Sequence, residues 1–146
     1  MECKKLNSVE EIKNVLIEFQ EVFPHLMEKI SSIDEYASKL CTNAEVYIGK
    51  KEKDTFGVLI FYANDVKTKT AYISLIGTKA EYRRQRLGEW LLNQCISISK
   101  KRGMKYLKLE VDSDNTNAKQ FYERNGFAYL EDTGRNSAYM GKFISD

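Results

Sequence analysis

One stretch of this 146-residue chain combines residue types and spacing that can do chemistry. Arg83, Arg84 and Arg86 stand just ahead of Gly88, where a basic loop leaves a strand pattern and enters a helical one. The first turn of a helix offers backbone donors with no internal partner, and the aligned peptide dipoles add partial positive charge there. A glycine lets the main chain come close to an anion. A pyrophosphate is the natural occupant of such a place. Read as ordinary surface, the same arginines are solubilising charges and Gly88 only eases the turn. Metal chemistry has little support. Cys3, Cys41 and Cys95 are far apart, no Cys-x-x-Cys pair exists, and His25 is the one histidine.

The elements that must position this loop are legible from periodicity. A short strand near Cys3–Leu6 precedes Ser8-Val9-Glu10-Glu11, a capping box that starts a helix with Val9, Ile12, Leu16 and Phe19 on one face. Ser32-Ile33-Asp34-Glu35 repeats the box, and Ile33, Tyr36, Ala37 and Leu40 give the next stripe. Between them Glu21–Ser31, with Pro24 and His25, reads as a loop of the kind that carries specificity. Glu45–Lys50, Phe56–Tyr62 and Thr70–Thr78 are β-branched and aromatic runs parted by turn-prone residues, as in an antiparallel meander.

A helix is expected from Leu87 to Arg102, with Leu87, Leu91, Cys95 and Ile98 buried and Gly103 as its stop. Tyr106–Val111 alternates two unlike faces and reads as a strand. Asn115 caps a helix that ends at Gly126, and Phe127–Leu130 and Ala138–Ile144 close the chain as strands. The expectation is a mixed α/β (α+β) domain spanning 1–146. It has a mostly antiparallel central sheet of six to seven strands, flanked by four helices.

Composition narrows the classes further. The net charge of +2 gives no general argument for nucleic acid, although cations cluster at Lys79–Arg86 and at Lys100–Lys105. Arg83–Arg86 is too short a basic run to favour a nucleic-acid patch. No apolar stretch approaches a membrane span, Met1–Leu6 has no signal-like apolar core, and odd, dispersed cysteines suit a reducing cytoplasm.

Two segments carry a family resemblance. Glu81–Leu92, with Arg83 and Gly88 on the first and last fixed positions, resembles the Arg/Gln-x-x-Gly-x-Gly/Ala loop of the GNAT N-acetyltransferase superfamily. Asn115, Ala118, Phe121, Tyr122, Gly126 and Phe127 match that family's later Asn-x-x-Ala-x-x-Phe-Tyr-x-x-x-Gly-Phe segment. The resemblance implies a sheet splayed between its fourth and fifth strands and an acetyl-CoA-dependent transfer to a primary amine. Transfer would be direct, in a ternary complex, with acetyl-CoA as co-substrate and no metal.

Ile76, Gly77 and Thr78 would then offer backbone groups to the pantetheine amides, pairing as a strand edge pairs with a ligand. Arg83, Arg84, Gln85, Arg86, Leu87, Gly88 and Glu89 would hold the phosphates. Asn115, Ala118, Phe121 and Tyr122 would flank the arm. Tyr122 would protonate the departing thiolate, since a phenol of ordinary pKa about 10 stays protonated at neutral pH. Outside the family, Tyr122 reads as a packed aromatic beside Phe121.

The chain departs from the pattern in two places. Arg86 stands where the family has its first loop glycine, and Thr70–Thr78 lacks any Asp, Glu or His to serve as base. An outward-pointing Arg86 would add a charge-assisted phosphate contact. Glu110 could take the amine proton through water or could be a structural partner, His25 is a lesser candidate, and a water chain without a single base stays open. Phe23, His25, Tyr36 and Tyr47 are possible acceptor-pocket walls or ordinary core. The acceptor is a small-molecule or peptide amine, and the chain a monomer or homodimer; an acyl-CoA-binding module without turnover is the alternative.

Overall fold

The computed structural model describes residues 1–145. In chain order the elements are β1 (Glu2–Lys5), α1 (Val9–Glu18), α2 (Pro24–Lys29), α3 (Ile33–Asn43), β2 (Glu45–Lys51), β3 (Asp54–Asp65), β4 (Thr70–Thr78), a 3-10 turn (Ala80–Tyr82), α4 (Leu87–Lys101), β5 (Tyr106–Asp112), α5 (Thr116–Arg124), β6 (Ala128–Asp132) and β7 (Ser137–Phe143). All seven strands belong to one sheet of order β1-β2-β3-β4-β5-β7-β6.

The ends of the helices are set by the residues the sequence singles out. Ser8 Oγ accepts from the Glu11 amide at 3.1 Å, and the Glu11 carboxylate in turn accepts from Ser8 Oγ and the Asn7 amide. Ser32 Oγ accepts from Glu35 N–H at 3.2 Å. Gly103 and Gly126, at φ +83° and +91°, take the left-handed conformation that ends α4 and α5. One difference from the expectation lies in 21–31, where a short helix, α2, forms. Pro24 occupies its first position, where a missing N–H costs nothing and the fixed φ already suits a helix. So five α-helices among the described residues accompany the sheet instead of four.

The chain divides into two compact units, Met1–Phe61 with Leu75–Cys95, and Tyr62–Ser74 with Ile96 onward. In the first, β1 pairs antiparallel with β2, and β2 with β3. Its core includes Ile12, Leu16, Phe19, Leu40, Val46, Phe56, Leu59 and Leu91. In the second, β5 and β6 each pair antiparallel with β7, and β4 pairs parallel with β5. There Ala71, Ile73, Leu107, Leu109, Val111, Ala138 and Met140 bury one face of the strands. Tyr62, Tyr72, Tyr106, Lys108, Glu110 and Tyr139, at the alternating positions, stay half-buried or exposed.

The buried stripe of α4 runs through Leu87, Leu91, Cys95 and then Ser99, not Ile98. Ser99 Oγ has no hydrogen-bond partner among the described residues, so hydrophobic periodicity alone could not have found it.

The β4–β5 register runs from Thr70–Tyr106 to Ile73–Leu109. Both strands continue beyond it, β4 to Thr78 and β5 to Asp112, so the sheet splays there as expected.

Candidate functional site

The loop before α4 is built by the main chain. Arg83 N–H bonds to Ala80 O at 3.2 Å, closing the 3-10 turn. Arg84 and Arg86 then adopt φ of +66° and +60°, a region that L side chains other than Asn and Asp seldom enter. Alternation of left-handed residues with their neighbours curls successive N–H groups into a concave nest, which binds anions. The first intrahelical acceptor is Arg86 O, bonded by Trp90 N–H at 3.1 Å. The amides of Leu87, Gly88 and Glu89 therefore precede the helical ladder, and the helix dipole adds to them. Arg83, Arg84, Gln85 and Arg86 are exposed, and Leu87 is buried and anchors the turn.

Ile76, Gly77 and Thr78 lie half-buried at the end of β4 in the same unit. The strand is tied on one side through Lys79 N–H to Phe56 O at 2.9 Å. A Cβ on Gly77 would meet Phe23 at 2.7 Å and Val22 at 2.8 Å, so the segment between α1 and α2 closes directly over this residue. Lys79 pins the same end of β4 by pairing with Glu18 while its ammonium lies 5.3 Å from the Phe19 ring centre. Phe23 thus touches the β4 end, whereas Tyr47 is core, stacked on Phe61 at 6.0 Å. His25 is 82% exposed on α2 beside Glu28.

In the second unit, Asn115 Oδ1 accepts from Ala118 N–H at 3.1 Å and caps α5. Tyr122, 8% exposed, is packed edge-on between Phe121 at 5.1 Å and Phe127 at 5.4 Å. Packing of this kind fixes the direction in which a phenol points.

Glu110 lies at the centre of a polar cluster that the sequence did not reveal. Arg135 donates to one carboxylate oxygen at 3.0 Å and Ser137 Oγ to the other at 2.6 Å. Arg135 also donates to the Tyr139 hydroxyl at 3.2 Å, and Thr133 and Ser137 share a hydrogen bond of 2.6 Å. Tyr72 faces the same carboxylate. Its phenol is pushed up to about 12, first by burial and then by the negative charge of Glu110. Arg135 belongs to the β6–β7 turn, where Gly134 and Asn136 have φ of +85° and +62°. A Gly-flanked turn between two strand patterns was a visible signal, but the register that pairs Glu110 with Tyr139 was not. Among the described residues no group of three or more His, Cys, Asp or Glu is placed to hold a metal.

A loop with two left-handed residues directly ahead of a helix is suited to bind an anion. The sequence profile described as acetyltransferase (GNAT) family matches residues 9–127. The chain belongs to that family. Among relatives of this GNAT-family chain is an N-alpha-acetyltransferase 50 from Danio rerio, 26% identical over 129 residues, covering 79% of this chain and 76% of the relative. The ribosomal-protein-S18-alanine N-acetyltransferase from Escherichia coli superposes with a TM-score of 0.79 at 21% identity, covering 99% of this chain and 94% of the other. The PaiA N-acetyltransferase from Thermoplasma acidophilum, solved in complex with coenzyme A, does so with a TM-score of 0.74 at 21% identity over 98% and 99%. At those identities the two structures establish a shared fold.

Proposed function

We propose that this GNAT-family chain transfers an acetyl group from acetyl-CoA directly to the α-amine of a polypeptide, in a ternary complex. The observation that carries the reading is the Arg83–Arg86 turn, with Arg84 and Arg86 both left-handed immediately before α4. The choice of a peptide α-amine among primary amines is supported by the relatives named for N-alpha and S18-alanine acetylation.

Bound acetyl-CoA supplies an activated thioester carbonyl. The protein contributes mostly position. Amides of Arg84, Leu87, Gly88 and Glu89 hold the diphosphate, with Arg83 and Arg86 adding charge, while Gln85 shares the loop. The half-buried edge of Ile76, Gly77 and Thr78, beyond the β4–β5 register, holds the pantetheine amides. Asn115 uses one side-chain atom as a helix cap and keeps its amide nitrogen for the arm, and Ala118 and Phe121 wall it. Tyr122 holds a phenolic proton for the departing sulfur.

Glu110, fixed by Arg135 and Ser137, attracts the acceptor's ammonium and passes its proton to solvent through water, with the Tyr72 hydroxyl beside it. No cysteine is assigned an acyl intermediate. Three free thiols suit a reducing compartment, and we place the chain in the cytoplasm.

The test is release of free CoA thiol with peptides that carry a free or a blocked N-terminus, alongside small amines. Turnover only with free N-termini is the expected result. Acetyl-CoA binding in calorimetry without thiol release from any amine would make the chain a binding module instead.

A further inference from the structure

The turn between β6 and β7 is braced more closely than an exposed ion pair requires. Arg135 N–H donates to Thr133 Oγ at 3.0 Å, and Thr133 N–H donates to Ser137 O at 3.0 Å. Ser113 N–H donates to Asn136 O at 3.0 Å, which ties the turn to the chain just past β5. Gly134 and Asn136, both left-handed, flank Arg135. The guanidinium is thereby held beside Glu110 although the Arg135 side chain is 61% exposed. A pair that exposed adds little to stability.

Only part of the guanidinium is used inside the protein. The bonds to Glu110 and to the Tyr139 hydroxyl both come from Nη2. A guanidinium has five N–H donors, so the three on Nε and Nη1 have no acceptor among the described residues. Tyr139 also meets Lys108, whose ammonium lies 4.1 Å from the ring centre. The Glu110 carboxylate thus has one cation bonded to it and a second one ring away. A bare ammonium arriving at Glu110 meets both positive charges. An amine that carries its own hydrogen-bond acceptor answers Arg135 at the same time.

Spacing agrees with that chemistry. Glu110 Oε1 and Arg135 Nη2 set an acceptor and a donor 3.0 Å apart. An α-aminoacyl group sets a donor nitrogen and an acceptor carbonyl oxygen roughly 2.7–3.6 Å apart, by standard bond lengths. The ε-amine of a lysine has no such oxygen. Resting on the peptide α-amine reading, we infer that Arg135 binds the carbonyl oxygen of the acceptor's first residue through Nε or Nη1, while Glu110 takes the amine beside it. The two side chains form a two-point reader of the α-aminoacyl unit. It separates a chain N-terminus from lysine side chains and polyamines. The amide carbonyl of a peptide and the carboxylate of a free amino acid share this chemistry, so both belong in the test.

The experiment uses the full chain with saturating acetyl-CoA, and reads thiol release. The acceptors are a short peptide with a free N-terminus, the same peptide with an (E)-alkene in place of its first amide, a free α-amino acid and a plain alkylamine. The alkene keeps the shape and lacks the oxygen. The parent protein should favour the amide peptide over the alkene by about tenfold in kcat/KM, the loss expected when a charge-assisted hydrogen bond goes unmade. Arg135→Met should bring that ratio toward one, and Arg135→Lys should restore part of it. Ser137→Ala loosens Glu110 and leaves the Arg135 donors alone, so it should slow both peptides by the same factor and keep the ratio. Equal kcat/KM for the two peptides in the parent would overturn the inference and leave the peptide reading intact. So would an Arg135→Met protein slowed equally on both, since Arg135 would then only position Glu110. Arg135-dependent turnover of free amino acids with no peptide acetylated would keep the two-point reader and overturn the polypeptide acceptor. Turnover of the alkylamine alone would overturn both.

Discussion

In the loop that enters α4 the main chain sets the geometry, whereas around Glu110 side chains from three strands and a turn set it. Arg84 and Arg86 shape the first region through their φ angles, and their own side chains are exposed and interchangeable in principle. In the second region Arg135, Ser137, Tyr139 and Tyr72 matter through their functional groups, each aimed at or near one carboxylate. The lesson concerns tolerance. A main-chain site accepts many residues that can adopt its backbone conformation, and a side-chain site accepts few.

The largest expected effect therefore falls on the cluster. Glu110→Gln keeps the shape but removes the charge to which the proposed mechanism gives the drawing and deprotonation of the amine. It should lower kcat about 10²-fold, the low end of general base effects, with KM for acetyl-CoA little changed. Steady-state kinetics with both substrates varied would check this. A kcat within about threefold of the parent would make Glu110 a purely structural partner of Arg135 and Ser137.

In the loop, conformation should outweigh charge. Arg86→Val puts a β-branched residue at φ +60° and should force the turn open, weakening acetyl-CoA by about tenfold or more in calorimetry. Arg86→Gly keeps the turn and relieves a left-handed strain of roughly 1 kcal/mol, so the melting temperature should rise by a few degrees. Its acetyl-CoA affinity should drop only a few-fold, from the lost charge. If glycine weakened binding as much as valine, the side chain and not the main chain would be the phosphate ligand.

Which parts were legible in the sequence follows from the same contrast. Capping residues, stop glycines and alternating strands announce themselves locally, so Ser8, Ser32, Gly103, Gly126 and the succession of strands along the chain were readable. The loop was readable too, because its arginines and Gly88 are contiguous. The Glu110 cluster was not, since it depends on the register that sets Glu110 opposite Tyr139 and on a turn that folds Arg135 back. Ser99 was missed because burial of a hydroxyl breaks hydrophobic periodicity. Helix α2 was missed because six residues are too few to show a period, although Pro24 marked its start.

The smallest predicted effect reads the cluster's electrostatics through stability instead of turnover. The folded protein holds the Tyr72 proton until about 12, whereas an unfolded chain releases it near the ordinary phenol value of about 10. A raised folded pKa favours the protonated native state, so this contribution is complete below about pH 10 and is lost as pH climbs toward 12. Urea midpoints should accordingly fall across that window, and Tyr72→Phe should fall less steeply than the parent. Tyr62 and Tyr129, also pushed up mainly by burial, contribute to both proteins alike and cancel in the difference. Glu110→Gln gives the decisive arm, because the Glu110 charge is the second cause of the Tyr72 shift after burial. Removing it should move the alkaline fall to lower pH by a fraction of the window. Arg86→Gly, which alters only the loop, should leave the position of that fall where it is. A fall that moved equally in both variants would mean that global stability, and not contact between Tyr72 and Glu110, sets the alkaline limit.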